Sequence, residues 1–185
     1  MRRVVVRVAS LVVLTGCAGL GTGDRPAASA ELRDATGRTV GAARLEQVGG
    51  GVHLVLTVSG LPPGVHAVHL HTVGRCEPPD FASAGGHFNP GKRQHGLENP
   101  QGPHAGDLPN VTVDADGTGR LETVTERVTL GAGPTSLFDA DGSALVVHAG
   151  PDDFKTDPTG NAGARIACGV VVRVEPPKPE PVRGY

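Results

Sequence analysis

GVHLVLTVSGLPPG (51–64) puts Val52, Leu54, Leu56 and Val58 on one side of an extended chain and His53, Val55, Thr57 and Ser59 on the other. Successive side chains of a strand point to opposite faces, so this period of two describes a strand with one apolar face. Gly60-Leu61-Pro62-Pro63-Gly64 ends it, because proline has no amide hydrogen for a ladder and glycine supplies the turn. Similar runs recur near 30–35, 39–48, 65–71, 110–114, 119–129, 143–148 and 164–174, and Asp114-Ala115-Asp116-Gly117 is a hairpin-type turn. About eight strands without helical periodicity predict an all-β chain, an eight-stranded Greek-key β-barrel or sandwich. With four Phe, one Tyr and no Trp, its core must rest on Val, Leu, Ile and Ala. The 185 residues suffice for one domain with a real core.

Two segments do not read as strands: 72–109 and 149–163. The first is long for a loop in a compact domain, and such loops are generally functional or disordered. It carries Cys76, His87, His95, His104 and Asp107, so metal and disulfide are expected to fix it.

The ends read differently. Arg2, Arg3 and Arg7 precede a short apolar run, Val8 to Leu14, too short to span a bilayer as a helix. Leu14-Thr15-Gly16-Cys17 follows and resembles a bacterial lipobox, in which cleavage before the cysteine leaves Cys17 lipidated; the alternative is an ordinary secretory signal with a chance cysteine. Residues 1–16 are therefore read as a lipoprotein signal peptide, 17–29 as a flexible tether, 30–174 as the folded domain and 175–185 as a Pro-rich disordered tail. The expected location is extracytoplasmic, on the outer face of the cytoplasmic membrane. Residues 1–16 hold three arginines and no acid, so their removal takes the chain from 17 to 14 basic side chains against 19 acidic ones, a net charge of −5. No basic patch suggests a nucleic-acid partner. Cys76 and Cys168 remain as an even pair in an oxidising compartment, where a disulfide is the default and two free thiols the alternative. Closing so long a loop stabilises by about 4–5 kcal/mol in the chain-entropy model.

Seven residues carry the chemistry. His69 and His71 lie two apart in one strand run and share a face. His87, His95, His104 and Asp107 fall in the long loop, and His148 ends Leu145-Val146-Val147. One strand histidine is commonly a surface or satisfied core residue, but six of the chain's eight histidines plus an aspartate make a metal-ligand set. Neutral imidazoles suit copper and zinc, and the carboxylate suits zinc. His53 matches no ligand and is read as a surface residue.

The blocks GVHAVHLH (64–71), AGGHFNP (84–90), HAGDLPNVTV (104–113), LVVH (145–148) and GNAGARIACGVV (160–171) resemble the signature blocks of copper/zinc superoxide dismutases, and CEPPDFASAGGHFNP (76–90) resembles the bacterial branch. The resemblance implies copper on His69, His71, His87 and His148, and zinc on His87, His95, His104 and Asp107, with His87 bridging the two. It implies that Asp152 links His69 to His95, and that His66 is an adjacent hydrogen-bonding histidine. Arg165 would be the channel arginine, with Thr159 beside it, and Cys76–Cys168 the family disulfide. The implied reaction converts superoxide to dioxygen and hydrogen peroxide, with His87 and Arg165 taking direct part. DFKTDPTGN (153–161) is shorter and less charged than the corresponding segment of animal cytosolic enzymes, which bears on how strongly the anionic substrate is guided. The competing functions are an extracytoplasmic copper/zinc storage module on the same scaffold and a metal-free structural sandwich. The full ligand set opposes the second, and Arg165 with Asp152 opposes the first. Relatives stand as monomers or homodimers, and the sequence does not choose.

Overall fold

The period of two is carried directly into burial: Val52, Leu54 and Leu56 are fully buried and Val58 nearly so, while Thr57 is exposed. The structure, a computed structural model, describes residues 26–174. The expected signal segment, Cys17, most of the expected tether and the 175–185 segment lie outside the described residues. Ten strands follow: β1 Ala27–Arg33, β2 Thr39–Val48, β3 Gly51–Val58, β4 Gly64–His66, β5 Val68–His71, β6 Val111–Val113, β7 Gly119–Thr125, β8 Ala144–His148, β9 Arg165–Val170 and β10 Val172–Val174. Among the described residues the one helical element is a 3₁₀ turn at Ala82–Ala84.

Neighbouring strands run in the order β4-β6-β7-β3-β2-β1-β9-β8-β5, with β10 also on β1. β4 and β5 stand at opposite ends of this path yet are separated in the chain by Ala67 alone. The first half of 64–71 pairs with β6 and the second half with β8, which draws the sheet into a nearly closed barrel. The pairs β3–β7 and β1–β9 join strands far apart in sequence, as Greek-key connections do.

The expected strand runs are present with altered limits. The runs 65–71 and 164–174 each divide, at Ala67 and Val171, because each changes partner there; fusing the halves returns the expected eight. The first strand begins at Ala27, so Ala27, Ala28 and Ser29 belong to the sheet and not to the tether. Their partners are Glu46, Leu45 and Arg44 on β2 and Val174, Arg173 and Val172 on β10, and Ala28 is buried. The run 119–129 stops at Thr125, opposite Val52, where β3 gives out.

Both faces of β5 and β8 are covered. Val68, Leu70, Leu145 and Val147 enter the main core with Leu32, Leu54 and Leu108. Ala144 and Val146 face outward and are buried with Phe81, Ala84 and Cys168 under the long loop. His69, His71 and His148 project from that same outer face. The Cys76–Cys168 disulfide, with Cα atoms 5.6 Å apart, pins the loop to β9.

Candidate metal centre

The outer face of β5 places His69 and His71 side by side, opposite Val146 and Ala144 of β8. The long loop runs back over this face: His71 bridges to His87, and His69 to Asp107, as isolated antiparallel pairs. Leu70 N donates to Gly106 O (2.9 Å) and Phe88 N to Leu70 O (2.8 Å). The loop is thus laid down by backbone pairing, and its histidines arrive over the strand histidines.

Two clusters result. In the first, His69, His71, His87 and His148 are all buried, with one nitrogen of each within 4.8 Å of the others. His69 Nδ1, His71 Nε2, His87 Nε2 and His148 Nε2 are buried and have no hydrogen-bond partner. Buried polar atoms are nearly always paired, so four orphaned nitrogens converging on one point are an arrangement that a metal ion satisfies. Four imidazoles suit copper. In the second, Asp107 Oδ1 lies 3.0 Å from His87 Nδ1, 3.0 Å from His95 Nδ1 and 3.3 Å from His104 Nδ1. His87 Nδ1 is 3.3 Å from both His95 Nδ1 and His104 Nδ1. A tetrahedron with arms of about 2.0–2.1 Å, as around zinc, has edges of about 3.3 Å. His69 also comes within 4.8 Å of His87, His95 and Asp107. Its Nε2 is engaged by Asp152, however, and its Nδ1 faces the other cluster, so His104 completes this set. His87 alone serves both clusters, with Nε2 to one and Nδ1 to the other.

Outer groups set the rings. Asp152 lies 2.8 Å from His69 Nε2 and 2.9 Å from His95 Nε2, one carboxylate oxygen to each, which leaves the Nδ1 atoms facing the metal positions. Gly160, at φ +64°, makes this possible: a Cβ there would fall 2.0 Å from Asp152 Oδ1. Asn110 clamps the Asp152 main chain with two bonds, Nδ2 to O (3.0 Å) and N to Oδ1 (2.9 Å). His71 Nδ1 donates to Gly85 O (2.9 Å), and His148 Nδ1 to Gly163 O (3.2 Å). Asp107 Oδ2 accepts from Gly96 N and His104 N.

Charge follows this geometry. Burial pushes His71 down to about 2, His148 to about 3 and His87 to about 4, with Asp107 opposing the last. These three rings are therefore neutral near pH 7, as metal ligation requires. His95 goes the other way, to about 9: burial would lower it, but the hydrogen bonds and charges of Asp107 and Asp152 outweigh burial. Both carboxylates are held well below the usual range, because their imidazole partners outweigh the burial that would raise them.

Of the remaining sequence-predicted residues, Arg165 and His66 stand next to the first cluster. Arg165 lies opposite His148 in the ladder, and donates to Phe81 O (2.6 Å) and Gly85 O (2.7 Å). Gly85 O thus receives both Arg165 and His71. Arg165 lines a cavity with Pro79, Asp80, Ala82, Gly163 and Ala164. His66 is buried, its ring nitrogens 2.8 Å from His148 O and 2.8 Å from Pro62 O, outside both clusters. Thr159 is exposed, and its carbonyl accepts from Ala162 N (3.3 Å). His53 is half-buried on β3 beside Glu122 at 2.8 Å, away from the clusters. Sequence reasoning missed Asn110, Gly160, Arg127 and Asp157. The first two stand inside quoted blocks and could have been singled out. Arg127 donates to Asp107 O, and Asp157 accepts from His95 N, with no sequence signal for either.

The family model described as copper/zinc superoxide dismutase (SODC) matches residues 39–171. The chain is 53% identical over 144 residues to "Superoxide dismutase [Cu-Zn] 1" of Aquifex aeolicus, covering 77% of this chain and 85% of that one. It is 46% identical to "Superoxide dismutase [Cu-Zn]" of Caulobacter vibrioides, covering 78% and 84%. Among solved structures it is similar to a SOD-like protein from Bacillus subtilis, with a TM-score of 0.74 and 38% identity, covering 78% of this chain and 97% of that one.

Proposed function

The chain belongs to the copper/zinc superoxide dismutase family, and from that premise we propose how its residues divide the work and where they do it. His69, His71, His87 and His148 hold copper. His87, His95, His104 and Asp107 hold zinc. The observation that carries this reading is the set of four buried, partnerless imidazole nitrogens beside a His₃Asp cluster, with His87 common to both. Copper bound there supplies one-electron chemistry with two superoxide ions in turn, giving dioxygen from one and, with two protons, hydrogen peroxide from the other.

The protein's own part is orientation and proton handling. His87 is fixed at Nδ1, among Asp107, His95 and His104, so its Nε2 is the atom at which a proton can be held for the peroxide. Arg165 draws the anion into the cavity it lines and holds it by a charge-assisted hydrogen bond. Asp152 keeps a ligand of each metal in one frame. A xanthine-oxidase-coupled assay on the metal-loaded chain tests this reading. The expected result is rapid superoxide consumption with about one copper and one zinc per chain. Binding of zinc alone, never copper, would overturn the enzyme; both metals without superoxide consumption would favour the storage module.

The location is also proposed. The order of basic residues, apolar run and Leu14-Thr15-Gly16-Cys17 supports export and lipidation at Cys17. Cys17→Ser should release the domain from the membrane fraction or leave it unprocessed, with dismutase activity intact once folded. Membrane retention at the wild-type level would remove the anchor.

A further inference from the structure

Arg127 stands two residues beyond the end of β7, where the ladder with β3 has run out. Its side chain reaches back toward the metal centre, and Nη2 donates 2.7 Å to the main-chain carbonyl of Asp107. The residue is half-buried, and its Nε is buried without a partner. A partly satisfied guanidinium is a poor choice for packing alone, since burial penalises its charge and an unmade hydrogen bond adds to the cost. The main chain it grips belongs to a residue whose carboxylate is buried and fully engaged. Asp107 Oδ1 meets three imidazole nitrogens, and Oδ2 accepts from Gly96 N and His104 N, both within the long loop. Two ties join Asp107 to the barrel: the backbone bridge to His69 on one side and Arg127 on the other.

We propose that Arg127 is a positioning residue for zinc: by gripping the Asp107 main chain from the barrel, it keeps Oδ1 at the apex shared by His87, His95 and His104, and so slows zinc loss. The inference rests on the zinc assignment above. It needs no contact between Arg127 and the substrate.

The test uses the full chain carrying both metals, with Arg127→Met, Arg127→Lys and, as a control for simple destabilisation, Val128→Ala, whose side chain is buried in the main core. Zinc transfer to a colorimetric chelator is timed, and the visible bands of cobalt(II) placed in the zinc site are recorded. Loss of a group supporting a metal ligand typically costs about 10–100-fold in metal affinity. Arg127→Met should therefore release zinc about 10–100-fold faster and alter the cobalt bands. Arg127→Lys keeps charge and one donor and should fall between Met and wild type. Val128→Ala should lower the melting temperature with cobalt bands unchanged. If Met does not fold, Arg127→Gln takes its place with the same expectation. Wild-type zinc release and cobalt bands in the neutral variants overturn the inference alone. A wild-type protein without tetrahedral cobalt bands overturns the zinc assignment and this inference with it.

Discussion

His71→Ala is expected to reduce superoxide dismutation to below about 1% of wild type while most of the zinc stays bound. Of the four orphaned nitrogens, His71 Nε2 belongs to the first cluster only, whereas His87 serves both and His69 shares Asp152 with His95. On the proposed assignment, loss of His71 therefore removes a copper ligand and leaves the contacts among His87, His95, His104 and Asp107 untouched. The ring is fully buried and is held at Nδ1 by Gly85 O. Four imidazoles become three, and a ligand set suited to copper becomes incomplete, which is the basis for the ~100-fold or greater loss. Metal analysis and the superoxide assay on the same reconstituted sample check the result. Near-normal activity at normal copper content would show that His71 is not a ligand, and equal loss of copper and zinc would show that the two clusters are not separable as described.

Much of this clustering was legible in the sequence because each member is a side chain with a distinctive chemistry. His69 and His71 announced a shared face by their spacing, and β5 delivers that face. The strand at 51–58 announced its buried side by alternation, and Val52, Leu54 and Leu56 are fully buried. What the sequence hid falls into three kinds. The first is a change of partner within one extended run: Val65 to His71 contains no proline or glycine to mark Ala67 as the point where pairing passes from β6 to β8. The second is the side chain that bonds a main-chain carbonyl. Arg127 on Asp107 O, and Arg165 on Phe81 O and Gly85 O, use acceptors that every residue possesses, so the residue type at the acceptor carries no signal. The Asn110 clamp on Asp152 also uses main-chain partners, although Asn110 itself stands inside a quoted block. Third, the early start of the first strand at Ala27 was obscured by composition: small residues read as linker until β2 and β10 are there to pair with them.

Arg165 should show a graded response to charge. The chain is net negative, −2 with every residue counted, so an anionic substrate needs local positive charge beside the metal. A guanidinium keeps its charge at any physiological pH, and burial of Arg165 lowers its affinity for the proton without bringing it near neutrality. Its five N–H groups form a planar fork. Two of them hold Phe81 O and Gly85 O, which leaves three for the cavity or its water. Asp80 on the same cavity wall opposes the field in part, so the approach of the anion depends on the balance of the two. Arg165→Lys keeps the charge but cannot make both carbonyl bonds in the same geometry, and activity should fall by about several-fold. Arg165→Glu reverses the charge. Two units of charge change a few ångströms from the reacting anion, at an effective dielectric near 20, are worth several kcal/mol before screening, so a loss on the order of a hundredfold is expected. Wild-type rates should decline as salt rises, because a Debye length of about 8–10 Å shortens the reach of the field. The glutamate variant should show the opposite slope, since salt then screens a repulsion. Stopped-flow decay of superoxide at several ionic strengths, with copper and zinc matched between variants, measures all of this. Equal activity and equal salt slopes in the wild-type, lysine and glutamate proteins would remove Arg165 from the mechanism.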